Sequence, residues 1–239
     1  ENVIRKTREV FRARADFIKV MVTGGALSEN DSSLYPQFNL KELIAIVKEA
    51  KMRKSKVAAH AHGLEGIKNA FKAGVNSIEH GTYIDKSLAK LMAKKGTPII
   101  PTIMVIDTLF KNGNYLDDEK KAKVKELNKV QKENKIIAYE EGVKMFMGSD
   151  SGVIPHGHNL EELKFLVDLG MNSSEAIAAG TIEPAKFLGI DDKIGSIEPM
   201  KSADVILSNK NPLENISSLG DSNNISLVVQ DGNVIKNTL

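Results

Sequence analysis

Apolar and polar positions along the 239-residue chain fall into strand-then-helix units, and the clearest spans residues 57–81, VAAHAHGLEGIKNAFKAGVNSIEHG. Residues 57–62 form a short small-to-apolar run, too brief for a helix, and a period of two puts His60 and His62 on one face of a strand. Gly63 breaks that strand. From Leu64 onward, Ile67, Ala70 and Phe71 keep helical spacing to Ala73, and Gly74 is the residue type that commonly ends a helix in the left-handed conformation. Residues 75–80 then read as a second strand, ending in His80. Links this short make a right-handed parallel unit whose strand ends emerge on one edge of the sheet, the edge where parallel α/β folds carry their chemistry. A single histidine near a strand end is more often a satisfied polar group than a ligand. Here three of the chain's five histidines share the ends of two neighbouring strands.

The same patterning continues on both sides. Residues 2–15 read as a basic helix with Val3, Ile4, Val10 and Phe11 as its inward positions. Residues 17–22, FIKVMV, form a strand apolar on both faces except for Lys19. Alternation groups Lys19 with Phe17 and Met21, which points it into the interior, where burial disfavours the ammonium and frees a nucleophilic amine. An edge lysine directed to solvent, or one paired with a carboxylate, fits the same pattern. Thr23-Gly24-Gly25 ends the strand in a loop open to a ligand, although steric need alone explains such glycines. Asn39 and Glu42 are spaced as a capping box for a helix over 40–50, and Asp85 caps another that Gly96 stops after Lys95. The run 97–105, TPIIPTIMV, reads as a strand despite Pro101. Residues 117–141 are a long charged helix with its Lys and Glu side chains on a solvated face, and 143–147 form the next strand.

That strand leads into GSDSG, where Asp150 stands as a ligand or general base, or caps the turn that follows. His156 and His158 lie in the loop beyond as candidates for substrate contact. Helices are expected over 159–169 and 173–179, with a short third one beginning at Pro184. From about residue 193 the texture turns to short β runs at 203–208, 226–230 and 234–236, the last two joined by Asp231-Gly232, a hairpin signal. The organisation expected is one α/β region over 1–192 and a small β appendage over 193–239.

Composition narrows the chemistry. With 33 basic and 31 acidic side chains the net charge is +2, which excludes a global field aimed at nucleic acid or a membrane surface. The absence of cysteine excludes disulfides, thiolate nucleophiles and Cys-ligated metal, so any metal uses N and O donors. No apolar run is long enough for a membrane span and no signal-peptide pattern opens the chain. The compartment stays open, the cytoplasm slightly favoured. The chain starts at Glu1, without methionine and inside the first predicted helix, so a preceding segment is expected. Imidazole nitrogens and carboxylate oxygens suit zinc, manganese or a similar divalent ion, on which a water ionises near neutral pH. Asp150 is placed to take that proton and pass it to a leaving amine.

Together, Lys19 within FIKVMVTGG, His60 within VAAHAHG, His80 within SIEHGTYID and Asp150 within FMGSDSG resemble the amidohydrolase superfamily, most closely its prolidase-like and imidazolonepropionase-like branch. The resemblance continues through LVDLGMNSSEAIAAGTIEPAKFLGI and IGSIEPMKSADVILSNKNPLENI, and so covers nearly the whole chain. It implies an α/β fold: strands four to eight of a TIM-type (β/α)8 barrel over 1–192, and part of a small β-sandwich over 193–239. It also implies two divalent metal ions, zinc foremost, bridged by a carboxylated Lys19. His60 and His80 would bind one ion and Asp150 the other, with His62 and Tyr83 as candidates for the oxyanion or the substrate carboxylate. The family's paired histidines on the first strand have no counterpart before Lys19, although His60-Ala61-His62 repeats their spacing on the fifth. The chain therefore reads as the carboxyl-terminal half of a longer enzyme, with little hydrolase activity of its own. The function implied is metal-dependent amide hydrolysis by a dipeptidase or carboxypeptidase that releases a C-terminal amino acid. Cyclic-amide hydrolysis of the imidazolonepropionase type and an inactive assembly subunit are the alternatives. The partner expected is a small-molecule or short-peptide substrate, with no nucleic acid and no membrane; a homo-oligomer is left open.

Overall fold

Four parallel strands run side by side in the order of the sequence in the computed structural model, which describes residues Glu1–Leu239. The chain divides into two compact units: Glu1–Pro101 with Ile106–Met145, and Thr102–Val105 with Phe146–Leu239.

The first unit contains α1 (Asn2–Arg12), β1 (Ile18–Met21), α2 (Leu40–Lys51), β2 (Val57–Ala61), α3 (Leu64–Ala73), β3 (Ser77–His80), α4 (Lys86–Lys95) and β4 (Ile99–Ile100). Val20 pairs with Ala59 and Ala59 with Ile78, so one face of the sheet is a continuous small-to-branched surface. Those residues are buried, as are Leu43, Ile46 and Ala50 of α2, Ile67 and Ala70 of α3, and Leu88, Ala89 and Met92 of α4. Local signals set the helix ends. Asn39 and Glu42 exchange side-chain-to-backbone bonds at the start of α2, Asp85 accepts from the Leu88 N–H, and Gly74 and Gly96 end α3 and α4 with φ of 88° and 73°. The inward positions expected on α1 are only half-buried, and Thr7 is its one buried residue.

Three segments depart from expectation. The run 97–105 is a strand for two residues only, because Pro101 has no N–H to continue the ladder and Thr102 takes a φ of 46°. The apolar residues after it open α5 (Ile103–Asn112), whose first free amides, those of Ile103 and Met104, donate to the two carboxylate oxygens of buried Glu162 at 2.9 and 2.8 Å. The charged α6 (Asp118–Glu140) is capped by Asp117 as its sequence suggests, yet it is not solvated all round. Val124, Leu127, Gln131, Lys135 and Ala138 form a buried seam. Residues 143–147 make one parallel bridge, Ile99 to Met145, rather than a strand.

In the second unit a 3₁₀ turn at Asn159–Glu161 precedes α7 (Glu162–Asp168), α8 (Ser173–Ala179) and α9 (Ile182–Leu188). An antiparallel sheet follows, in the order β5 (Val205–Ser208), β6 (Ile225–Gln230), β7 (Asn233–Asn237). The β6–β7 turn places Asp231 and Gly232 at φ of 49° and 77°, both positive as a tight two-residue hairpin requires. No helix is long and apolar enough to cross a membrane.

Glu162 ties the start of α5 to α7, so its loss should be felt beyond one hydrogen bond. Glu162→Ala, which leaves two buried amides without their acceptor, is expected to lower stability by about 3 kcal/mol, with Glu162→Gln costing less because it keeps one acceptor oxygen. Denaturant melts of the two variants beside the parent check this; equal stability of all three would refute it.

Candidate metal centre

Three buried imidazoles meet at the carboxyl ends of β2 and β3. His60 stands on β2, His62 just past its end and His80 at the end of β3. Ring centroids are 4.9 Å apart for His60 and His62, 4.6 Å for His60 and His80, and 4.7 Å for His62 and His80. The His62 and His80 rings stack and His60 stands edge-on to both. Register pairs Ala61 with His80, so regular alternation would put His80 on the face opposite His60. A φ of 71° takes His80 out of strand geometry and turns its ring to the other two. Such a conformation costs of order 1–3 kcal/mol in a non-glycine residue and concentrates at functional sites.

Two of the rings are oriented from behind. His60 Nε2 lies 3.3 Å from the Gly24 carbonyl oxygen, which only accepts, so Nε2 carries the proton and Nδ1 keeps the lone pair. His62 Nδ1 lies 2.8 Å from Thr82 Oγ1, which leaves Nε2 facing away from that contact, and the His62 backbone N–H donates to Thr23 Oγ1. Glycine makes this close fit possible. A Cβ at Gly24 would lie 2.5 Å from the Asp31 carboxyl, and one at Gly63 would lie 2.1 Å from the Leu34 carbonyl oxygen.

Burial pushes His62 and His80 well below the ordinary histidine pKa. Repulsion adds to it, from His60 and Lys135 at His62, and from His62, His60, Lys135 and Lys19 at His80. Both rings are neutral at neutral pH, which is the form that ligates. The donor nitrogens of the three lie within 4.8 Å of one another. Zinc–nitrogen bonds of 2.0–2.1 Å place tetrahedral donors about 3.4 Å apart, so imidazoles of this group lie near the spacing that one divalent ion requires. The residues fit a metal.

The remaining expected site residues fall as follows. Lys19 pairs with Ala58, two positions before the Met21–His60 pair, and so belongs to the His60 face of the sheet. It is exposed and not buried as alternation suggested, because that face of β1 is open, with Phe17 and Met21 at 52% and 43% exposure. Tyr83 donates its backbone N–H to the His62 carbonyl and its phenol to Glu126, and burial together with the Glu126 charge pushes the phenol pKa up to about 12. Asp150, in the second unit, is half-buried with a φ of 48°, and its carbonyl accepts from the Val153 N–H. His156 and His158 are exposed, the latter 2.6 Å from Glu161.

Sequence reasoning missed what α6 contributes. Asn134 Nδ2 donates to the Thr82 carbonyl, Glu126 accepts from Tyr83, and Lys123 donates to the Ser28 carbonyl, so α6 is fastened to the loops that follow β1 and β3. Lys135 on the same helix is buried. Its signal was present as a polar residue on the heptad-like seam 124, 127, 131, 135, 138.

The model of the amidohydrolase family matches residues 1–235. Ochratoxinase of Aspergillus niger is 36% identical over 239 residues, covering 99% of this chain and 49% of its own length. A crystal structure of a Xaa-Pro dipeptidase with methionine bound in its active site matches at a TM-score of 0.91 and 41% identity, over 98% of this chain and 58% of that one. A prolidase crystallised with N-methylphosphonate-L-proline matches at a TM-score of 0.91 and 32% identity, over 99% of this chain and 58% of that chain. The chain spans about half the length of the relatives it matches.

The depressed histidines predict an acid-labile fold. A histidine held neutral in the folded state contributes stability that is complete above its unfolded pKa near 6.5 and is lost as pH falls toward the folded value. Metal-free protein should therefore melt at a constant temperature above about pH 7 and lose stability below about pH 6.5, by about 1.4 kcal/mol per pH unit for each of the two rings. Thermal melts in chelator from pH 8 to 5 measure it, and a stability that rises on acidification would contradict the burial argument.

Proposed function

The chain belongs to the amidohydrolase family, and on that premise we propose that its parent protein is a metal-dependent hydrolase of amide bonds, a dipeptidase or carboxypeptidase that releases a C-terminal amino acid. The observation that carries this reading is the trio of buried imidazoles at the ends of two adjacent parallel strands. The ligands bound by the two crystallised relatives, methionine and N-methylphosphonate-L-proline, support an amino-acid product.

In this reading β1 to β4 are strands four to seven of a (β/α)8 barrel, residues 143–147 supply the eighth, the barrel extends to residue 192, and 193–239 belong to a β-sandwich. The open face of β1 supports further strands packing there in the whole protein. His60 and His80 would hold one divalent ion, zinc foremost, and Asp150 a second, with Lys19, once carboxylated by CO₂, as the ligand common to both. When bound, such ions polarise a carbonyl and acidify water.

The chain's own groups do the rest. The Asp150 carboxylate takes the proton of the attacking water and delivers it to the leaving nitrogen. With the Thr82 hydroxyl donating to Nδ1, His62 presents a proton at Nε2 to the carbonyl oxygen as it gains charge. Tyr83, whose phenol donates to Glu126, is a second candidate for contact with the substrate.

Substitutions at two positions in the full-length enzyme test these roles. Lys19→Ala and Lys19→Arg should both lose bridged metal and most activity, since a guanidinium stays protonated and forms no carbamate; full metal content and turnover in either variant would rule the bridge out. Asp150→Asn should lower kcat on the order of 100-fold or more with little change in KM, whereas an Asn variant with normal turnover and a lower melting temperature would reduce Asp150 to a turn residue.

A further inference from the structure

The chain leaves β3 through two consecutive left-handed residues, His80 and Gly81, with φ of 71° and 61°. One residue either side of Thr82, the loop is tied to the end of β2: the Gly81 N–H donates to the Ala61 carbonyl at 3.0 Å and the Tyr83 N–H to the His62 carbonyl at 2.9 Å. The Thr82 carbonyl between these bonds accepts from one group, the side-chain amide of Asn134 on α6, at 2.9 Å. Thr82 itself is fully buried, and its hydroxyl has one hydrogen-bond partner, His62 Nδ1 at 2.8 Å. A hydroxyl shut away from water gives its proton to the acceptor in reach, because a buried donor left unsatisfied is costly. Nδ1 therefore keeps its lone pair, and the ring proton of His62 sits on Nε2. The opposite tautomer would leave the hydroxyl proton with no acceptor.

α6 does not need Asn134 to hold its place. Val124, Leu127 and Ala138 on the buried seam seat the helix, and one side-chain bond to a loop carbonyl adds little to that. What the bond does fix is the peptide of Thr82. Carbonyl and side chain leave the same Cα, so a shift of that peptide carries the hydroxyl with it. The other bonds around His62 act on its backbone: its N–H donates to Thr23 Oγ1 at 3.0 Å, and Thr23 donates to the Gly24 carbonyl at 3.1 Å. They leave the position of the ring proton to Thr82. We propose that Asn134 is a positioning residue of the reaction: through the Thr82 carbonyl it holds the hydroxyl that keeps the His62 proton on Nε2. A helix outside the strand ends thus controls the donor offered to the carbonyl oxygen of the substrate. The assignment rests on the role given to His62 in the hydrolase reading and adds the residue that maintains it.

The test uses the full-length, zinc-loaded enzyme and reads the tautomer as well as the rate. Nitrogen NMR of histidine-labelled protein distinguishes protonated from bare ring nitrogens, and the spectrum of His62→Gln identifies the His62 signals. The wild type should carry the His62 proton on Nε2. Thr82→Val should give a mixture of tautomers and lower kcat about 100-fold, the scale of a lost oxyanion donor, and Thr82→Ser should restore both. Asn134→Ala, and Asn134→Asp with its acceptor-only carboxylate, should move His62 toward the same mixture and lower kcat about 10-fold, with KM changed less than about threefold. Because Asn134 acts through Thr82, Asn134→Ala combined with Thr82→Val should be no slower than Thr82→Val alone. If Thr82→Val does not fold, the spectra of the two Asn134 variants decide by themselves. A wild-type proton on Nδ1, Asn134 variants that keep the wild-type tautomer, or losses that multiply in the double variant would overturn the proposal. So would a lower melting temperature as the only change in the Asn134 variants. A wild type that cleaves no dipeptide, or full turnover in His62→Gln, would instead overturn the role of His62 in the hydrolase reading, and the spectra separate that failure from a failure of the link between Asn134 and the ring.

Discussion

Desolvation of three adjacent imidazoles is the constraint on which the first unit depends. Out of water and in contact, His60, His62 and His80 cannot all be charged, and the surroundings hold His62 and His80 neutral by burial and by positive neighbours. Each consequence is structural. The tautomer of His60 follows from the Gly24 carbonyl behind it, and the ring of His62 is fixed by the Thr82 hydroxyl. The loop after β1 folds closely on itself and against the residue that follows β2, which Gly24 and Gly63 permit because neither has a Cβ. A cluster fixed in this way is prepared for a cation before one arrives.

How much of this was legible depends on the range of the interaction. Capping by Asn39, Glu42 and Asp85 and the left-handed ends at Gly74 and Gly96 are decided within a few residues, and the sequence shows them directly. The histidines were legible as a group because parallel strand order forces their strand ends together. The rest is decided at a distance. Whether 102–105 continues a strand or starts a helix depends on Glu162, 59 residues from Ile103, whose carboxylate holds the first free amides of α5. A short apolar run gives no hint of that. Lys19 lies on the expected face, but exposure depends on what covers that face, and alternation says nothing of it. His80 reaches the cluster through a reversed φ that its residue type does not announce.

α6 shows the same division between local and distant control. Its charge and its Asp117 cap mark it as a helix, while its placement depends on Asn134, Glu126 and Lys123, which look like ordinary surface residues until their partners at Thr82, Tyr83 and Ser28 are known. A helix read from composition as solvated is in fact the element that supplies a buried lysine to the cluster's surroundings.

These fastenings also order events in time. β2 and β3 close over a loop of 19 residues, from Val57 to Asn76, whereas α6 reaches Thr82 across 52 residues and Ser28 across 95. Loop-closure entropy grows with separation, and distant contacts form late. As the chain emerges during synthesis, the strands bearing the histidines are complete before α6 has been made. The imidazoles are therefore gathered by contacts between neighbouring elements, and the bonds of α6 to the loops beside them are the long-range step that completes their surroundings.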